Sequence, residues 1–344
     1  MENGGGSSYL HDHEERRRWA LGITLIVIVA VIWTLASVWV QFIYEELDYT
    51  SPFVLTYICT SMFTTLLPFW KVRSSLNSRR SFNSQRQRSS QRVNEGSQDQ
   101  LSLLNKPLLP GGEPPTPPPV AMPVRDTVKL GAALTPLWFL AQWPYNRSLL
   151  LTSVGSSTVL SACTCLFTLA FAAALGREPR GAAAKKLPAV LLCVGGAALV
   201  ALADTGGGGG GGGGDLQGDL QGDLLGLLSA AVYGLYTVVL AQACALKGEP
   251  AFDLFFGALG LTGCLCGAPA LALAAWRRPG LVRGLTGRVL GCAALKGLLD
   301  NALADVLWAR AVVLTSPTTA TVGLALTIPL AYLADLALGK GGGG

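Results

Sequence analysis

Long apolar runs recur along this chain, and they constrain its fold more than any other feature. The runs extend from Leu21 to Leu338. Each is about 17 to 25 residues long, the length that an α-helix needs to cross the hydrocarbon core of a bilayer. Only 14% of the residues are charged, against about 25% in a typical soluble domain. The sequence therefore predicts an all-α protein, a polytopic bundle of transmembrane helices.

Nine spanning helices are predicted, covering residues 21–43, 53–70, 127–149, 153–175, 187–203, 223–240, 251–276, 289–309 and 318–338. A stretch rich in Ser, Gln, Arg and Pro follows the second helix and cannot bury a core. The predicted organisation is a disordered cytosolic tail (1–18), helices one and two (19–70), a disordered basic and Pro-rich cytosolic loop (71–125), helices three to five (126–203), a Gly-rich linker (204–222), helices six to nine (223–338) and a Gly tail (339–344).

The basic residues predict that the N-terminus is cytosolic. In this orientation 18 Lys and Arg residues fall in cytosolic segments and 6 on the opposite side. Such an excess is what the positive-inside rule favours. The basic loop at 277–288 is the exception to this pattern.

A sequence repeat relates two parts of the chain. When Arg147 is aligned with Arg310, the Thr-Ser and Thr-Val pairs that follow each arginine also coincide. Chance similarity between two apolar segments is the alternative. Each copy joins one spanning helix to the next, and five helices separate the copies. Because five is odd, the second copy enters the membrane from the opposite side, as in the inverted repeats of secondary transporters.

Three groups of residues carry a resemblance to a known family. They are Tyr145–Ser161 with Phe167, Thr168 and Gly176–Glu178; Gly222, Asp223, Ser229, Ala230 and Tyr233–Thr237; and Asp305–Arg310, Leu314–Pro317, Ala320–Gly323, Leu326–Leu330, Ala334 and Asp335. These segments resemble the EamA-like drug/metabolite transporter superfamily, and in particular the subfamily F branch of solute carrier family 35, the nucleotide-sugar-transporter-like proteins. The resemblance implies two inverted five-helix repeats with both termini cytosolic. Many members exchange nucleotide sugars for nucleotide monophosphates. Here the sequence ends in glycines, so we expect nine helices and a missing tenth.

The eighth predicted helix carries the strongest candidates for a substrate or coupling-ion site, because a charged side chain inside a bilayer costs roughly 2.5 to 3.5 kcal/mol. Lys296 and Asp300 are four residues apart, on one face, where they can pair. Asn301, Asp305 and Trp308 follow on another face. In one interpretation Lys296 attracts an anionic substrate, and Asp300 or Asp305 neutralises it or takes up a coupling proton. In the other, Lys296 and Asp300 form a structural pair and Asp305 caps a helix. The resemblance supports only Asp305, which falls on the family's acidic residue before the Trp.

Five further residues are weaker candidates for contact with a substrate. Arg147 and Arg310 are equivalent in the repeat and lie at helix ends, where long side chains extend to the membrane interface. Tyr233 and Tyr236 on the sixth helix, with Gln142 on the third, are candidate walls of a central cavity. Core packing is the alternative for these three residues.

The sequence offers little for enzyme chemistry. Its 2 histidines lie in the N-terminal tail and its 8 cysteines within apolar runs. We therefore expect no catalytic residues, no metal site and no cofactor. No nucleic-acid partner is expected, because the arginines of the loop lack interleaved aromatic residues. The expected partners are a small-molecule substrate, the lipid bilayer, a second copy of the chain in a homodimer, and a sorting adaptor for the acidic dileucine pattern at Asp99, Leu103 and Leu104.

These patterns predict a secondary active transporter rather than an enzyme. It would move a small polar metabolite by alternating access across an endomembrane, that of the vacuole, lysosome or Golgi. A nucleotide-sugar/nucleotide monophosphate antiporter is the alternative within this class. A transport-inactive membrane scaffold or regulator is the alternative of another class, motivated by the missing tenth helix.

Overall fold

The chain forms a helical bundle. The computed structural model describes residues 5–77, 121–151, 160–176, 178–206, 216–330 and 333, and every long element within them is a helix. In chain order these helices are α1 (Gly5–Glu45), α2 (Pro52–Asn77), α3 (Val124–Leu151), α4 (Leu160–Ala174), α5 (Arg180–Gly206), α6 (Leu216–Lys247), α7 (Phe252–Arg277), α8 with the consecutive segments Gly287–Lys296, Gly297–Ala304 and Asp305–Leu314, and α9 (Pro317–Leu330). By length and composition, α1, α2, α6 and α7 contain segments able to cross a membrane. The predicted all-α membrane bundle is confirmed.

Several helices extend beyond their predicted ends. α1 begins at Gly5, inside the predicted tail of residues 1–18, because the charged residues ahead of the apolar run are good helix formers and propagation adds one hydrogen bond per residue. α2 continues to Asn77, into the predicted loop, and α6 begins at Leu216, inside the predicted linker. The dileucine pattern and the Gly tail lie outside the described residues. The sidedness of the N-terminus stays a prediction.

Local sequence sets the starts of α8 and α9. The hydroxyl of Thr286 accepts a hydrogen bond from the Val289 amide (3.3 Å), and the hydroxyl of Ser316 accepts one from the Thr319 amide (3.1 Å). Both are N-caps, which satisfy amides that lack a partner in the first turn. Pro317 occupies the first position of α9, where its missing N–H costs nothing.

Large aromatic side chains form the middle of the bundle. Trp138 of α3, Tyr236 of α6 and Trp308 of α8 are fully buried. Trp138 packs edge-on against Tyr236, with ring centroids 5.3 Å apart, and Tyr236 stacks on Trp308 at 6.4 Å. By contrast, Leu192 and Trp276 are 79% exposed. An apolar exterior around a packed core fits a surface that faces lipid.

Two glycines allow α7 to pack closely against α3 and α2. A Cβ added to Gly131 would lie 2.5 Å from the carbonyl oxygen of Phe255 on α7. One added to Gly260 would lie 2.5 Å from the Cβ of Phe63 on α2. Small residues at helix interfaces bring backbones together and increase dispersion contact, which drives association where lipid removes the hydrophobic effect.

Helices that are equivalent in the sequence repeat make equivalent contacts with the other half of the bundle. We call α1–α5 the first half and α6–α9 the second half. α3 of the first half packs against α6 and α7, while its repeat equivalent α8 packs against α1 and α2. Likewise α4 packs against α6, and α9 packs against α1. Each half therefore contributes the same set of contacts to the interface between them.

The helix ends fall on two sides of the bundle, which we call side A and side B. Side A holds the α1–α2 and α7–α8 connections, where the hydroxyl of Tyr49 donates to the carbonyl of Leu281 at 3.1 Å. Side B holds the start of α3 and the α6–α7 connection, where the amide of Met122 donates to the carbonyl of Glu249 at 2.9 Å. These two contacts identify which helix ends are neighbours on each side.

Candidate functional site

A cavity of about 490 Å³ lies between the two halves, in the part of the bundle nearer side A. α1, α3 and α4 of the first half and α6, α8 and α9 of the second half all contribute to its wall. Exposed Thr50, in the α1–α2 connection, lines its outer end. The volume falls within the roughly 300–1,000 Å³ of small-molecule sites, and the place between the halves is where repeat-built transporters bind substrate.

α8 supplies the charged part of the wall. Its middle segment, Gly297–Ala304, is a π-helix, in which each hydrogen bond spans one more residue than in an α-helix. Lys296, Asp300, Asn301 and Asp305 all line the cavity as a result. The prediction that Asn301 and Asp305 occupy a separate face from Lys296 is therefore wrong, because the wider turn changes the register of the helix. Single π turns are frequent at functional sites.

Lys296 and Asp300 form the ion pair that their spacing predicts. The Lys296 ammonium donates to Oδ2 of Asp300 at 2.6 Å, with 8% and 17% of the two side chains exposed. A pair this buried is held by charge-assisted hydrogen bonding at short distance. Most of the positive charge of Lys296 is therefore already balanced within the wall of the cavity.

Asp305 lines the same cavity without such a partner. It is 2% exposed, and its Oδ1 makes no hydrogen bond to the described part of the chain. Asp305 does not cap a helix, because the residues before it continue helically from Gly297 and leave no free first turn. The capping interpretation is thus wrong, and Asp305 is a buried carboxyl group aimed into a cavity.

Aromatic rings form the wall near Asp305. Tyr233 lines the cavity, and its hydroxyl makes no hydrogen bond to the described residues. Trp33 of α1 also lines it, in edge contact with Tyr233 at 6.3 Å. Trp308, one turn beyond Asp305, lies behind both rings, 5.4 Å from Tyr233 and 6.4 Å from Trp33. Tyr236 and Trp308 belong to the core rather than to the cavity wall.

Of the three remaining candidate residues, one lines the cavity and two do not. Gln142 lines the cavity. Arg147 is exposed at the side A end of α3, and Arg310 is half-buried toward the side B end of α8. Neither arginine contributes to the cavity wall. Their positions agree with the interpretation that both side chains extend to the membrane interface.

Among the polar wall residues that sequence reasoning missed are Asn146, Tyr44 and Ser229. Asn146 is buried at the end of α3, where its amide donates to the Thr56 hydroxyl at 2.9 Å. Tyr44 donates to the Asn146 carbonyl at 3.4 Å, and Ser229 donates to the Ala141 carbonyl at 2.6 Å. The available signal was a buried amide one residue before the repeated arginine, since polar groups within spans are functional candidates.

Ion pairs join the two halves at side B. Glu178, between α4 and α5, pairs with Lys186, which also donates to the Ser316 hydroxyl at 3.2 Å. Arg73 of α2 pairs with Asp253 of α7 at 3.0 Å. Each contact links the first half to the second, directly or through one side chain. Charged side chains therefore link the halves at side B, whereas the cavity lies toward side A, where the Tyr49–Leu281 hydrogen bond also joins the halves.

No group of three or more His, Cys, Asp or Glu side chains that could hold a metal ion occurs in the described ranges. The charged groups of the cavity wall are Lys296, Asp300 and Asp305. The wall can therefore bind a solute by ion pairing, by hydrogen bonding and by contact with aromatic rings.

Comparison with known proteins finds relatives that match most of the chain. An uncharacterized vacuolar membrane protein of Saccharomyces cerevisiae is 31% identical over 336 residues, covering 93% of this chain and 84% of the relative. A thiamine-repressible mitochondrial transport protein of the same yeast is 29% identical, with coverages of 92% and 84%. Solute carrier family 35 member F5 of Pongo abelii is 26% identical, with coverages of 95% and 73%. No family model matches the chain.

Proposed function

Because this chain belongs to the solute carrier family 35-like transporters, we propose that it moves a small polar metabolite across an endomembrane by secondary active transport with alternating access. The relatives support the general conclusion that it is a membrane transporter. The cavity between the halves supports the more specific proposal that it transports a small polar metabolite by alternating access. It is large enough for a metabolite and is lined by Lys296, Asp300 and Asp305.

The distribution of contacts supports alternating access. An alternating-access transporter opens one side of its central site while the other side is closed. Here the Lys186–Ser316 hydrogen bond and the Arg73–Asp253 ion pair join the halves at side B, and the cavity lies toward side A. The basic side chains of these contacts, Arg73 and Lys186, are 40% and 32% exposed, so water can solvate them when the contacts open.

The names of two relatives support an endomembrane. One is a vacuolar membrane protein and another a mitochondrial transport protein, both of yeast. We propose the vacuole as the first compartment to test, because the vacuolar relative has the higher identity of the two. Imaging of the tagged full-length chain against vacuolar and mitochondrial markers distinguishes these compartments.

The antiporter alternative has weaker support in the charges of the cavity. A nucleotide sugar carries a diphosphate, and such groups are bound by unpaired Arg or Lys side chains. The one lysine of the described wall is paired with Asp300, and Asp305 adds a further carboxyl group. An anionic diphosphate would have to displace Asp300 from Lys296 while facing Asp305.

Uptake into liposomes tests the proposed function. The purified full-length chain is reconstituted and offered labelled amino acids, monoamines, UMP and UDP-glucose, with empty liposomes as the control. We expect saturable, protein-dependent flux of at least one probe that carries no phosphate. Exchange of UDP-glucose against internal UMP would favour the antiporter instead. Absence of flux for every probe would favour the scaffold and overturn the proposal.

A further inference from the structure

One carboxyl group of the cavity wall has no cationic partner among the described residues. Lys296 and Asp300 neutralise each other at 2.6 Å. Asp305 is 2% exposed, and its Oδ1 has no hydrogen-bond partner among the described residues. The other groups of the described wall are apolar or uncharged, such as Gln142, Asn146 and Asn301. A buried carboxylate without a partner is costly, so a group that brings positive charge to it binds favourably.

Aromatic rings stand beside this carboxyl group. Trp33 and Tyr233 line the same cavity, and Trp308, which contacts both rings, lies one helical turn from Asp305. The faces of Trp and Tyr rings attract cations, and the attraction strengthens when water is excluded. The hydroxyl of Tyr233 also has no partner among the described residues, so it can accept a hydrogen bond from an N–H group. A carboxylate with aromatic walls is a recognition site for an ammonium group.

We propose that the site recognises an organic cation, with its ammonium group held by Asp305 beside the rings of Trp33 and Tyr233. The proposal rests on the proposed function and specifies its substrate class. The volume of about 490 Å³ leaves room for an organic body beyond the ammonium group. Gln142, Asn146 and Asn301 offer hydrogen bonds to the polar part of that body. Lys296, paired with Asp300, keeps the rest of the wall neutral.

Probes of similar shape but different charge test whether the site recognises the positive charge. The full-length chain in nanodiscs is titrated with labelled choline, and with tetraethylammonium and tyramine as competitors. The control competitor is 3,3-dimethylbutan-1-ol, which has the shape of choline without its charge, and UMP is the anionic probe. We expect the ammonium probes to bind at least about tenfold more tightly than the neutral alcohol, a difference of about 1.4 kcal/mol. UMP is expected not to compete.

Three variants test whether Asp305 and the rings supply the preference. Asp305→Asn should abolish the difference between choline and the neutral alcohol. The matched control is Asp48→Asn, because Asp48 is an exposed loop residue outside the cavity wall. Asp48 has a positive φ of 47°, which asparagine tolerates. Trp33→Leu should lower the affinity for choline more than the affinity for the alcohol. This variant provides a second test if Asp305→Asn fails to fold.

Three results would overturn the proposal: equal affinity for choline and the alcohol, an unchanged preference in both Asp305→Asn and Trp33→Leu, or no binding by any ammonium probe. A protein that still transports an uncharged or anionic solute would then retain the proposed function with a different substrate class. Absence of all flux in liposomes would instead remove the proposed function itself. The two failures are therefore distinguishable.

Discussion

At the scale of single residues, the Lys296–Asp300 pair explains how a charged helix is accommodated in a membrane. Taking each ion out of water costs several kcal/mol, and mutual attraction recovers this only with good geometry. The 2.6 Å hydrogen bond provides that geometry. Asp305 shares the cavity with the pair. The three residues therefore act as one electrostatic unit, in which removal of one charge changes the surroundings of the other two.

This arrangement predicts unequal effects of neutralising the two partners. Lys296→Met leaves two carboxyl groups facing one cavity without a cation, so we expect it to destabilise the protein by about 3 kcal/mol. Asp300→Asn leaves Lys296 beside Asp305, so we expect a smaller loss. Thermal unfolding in nanodiscs measures both effects, and Lys296→Met/Asp300→Asn should recover part of the loss. A larger loss in Asp300→Asn than in Lys296→Met would contradict the account.

The charged residues of the eighth predicted helix located the candidate site in the sequence, but they did not show how its side chains are arranged. The sequence predicted that Lys296 and Asp300 pair, because four-residue spacing is enough to bring them together in a helix. It left open whether Asp305 shares their cavity. That depends on the π segment, which begins at Gly297, where an added Cβ would lie 2.9 Å from the Cα of Cys59 on α2. Packing between helices distant in sequence sets this register.

At the scale of helices, close contact between backbones determines how the two halves fit together. The nine apolar runs correspond to nine long helices within the described residues, because length and hydropathy are properties of each segment alone. Their ends were harder to predict, and α1 begins at Gly5 rather than after the tail. The α3–α7 contact could not be predicted at all. It depends on Gly131 meeting the Phe255 carbonyl.

Substitutions of glycine test this interface. Gly131→Ala places a methyl group 2.5 Å from a backbone oxygen that cannot rotate away, so we expect a loss of about 1–3 kcal/mol. The matched control is Gly291→Ala in α8, where an added Cβ has nothing within 4 Å. That change should raise stability by about 0.5–1 kcal/mol through helix propensity. Thermal unfolding in nanodiscs measures both, and equal effects would show that α3 and α7 do not pack as described.

At the scale of the whole molecule, the two halves meet around the cavity and are linked by charged side chains at side B. The equivalent packing of α3 and α8, each against two helices of the other half, gives the interface an approximate two-fold character. If the two halves exchange conformations, a second arrangement results, in which the cavity is closed at side A and open at side B. In that arrangement the Arg73–Asp253 pair and the Lys186–Ser316 hydrogen bond, which cross between the halves, must separate. Transport therefore requires movement at side B.

Reversible cross-linking at side B tests this claim most directly. Arg73→Cys/Asp253→Cys is made in a background without the 8 native cysteines, reconstituted in liposomes and joined with a short bis-methanethiosulfonate linker. Uptake is measured with whichever probe gives flux in the liposome panel, and Arg73→Cys alone treated with the same reagent is the control. The account predicts that cross-linking abolishes flux and that reduction of the linker restores it. Full flux through the cross-linked protein would contradict alternating access around this cavity.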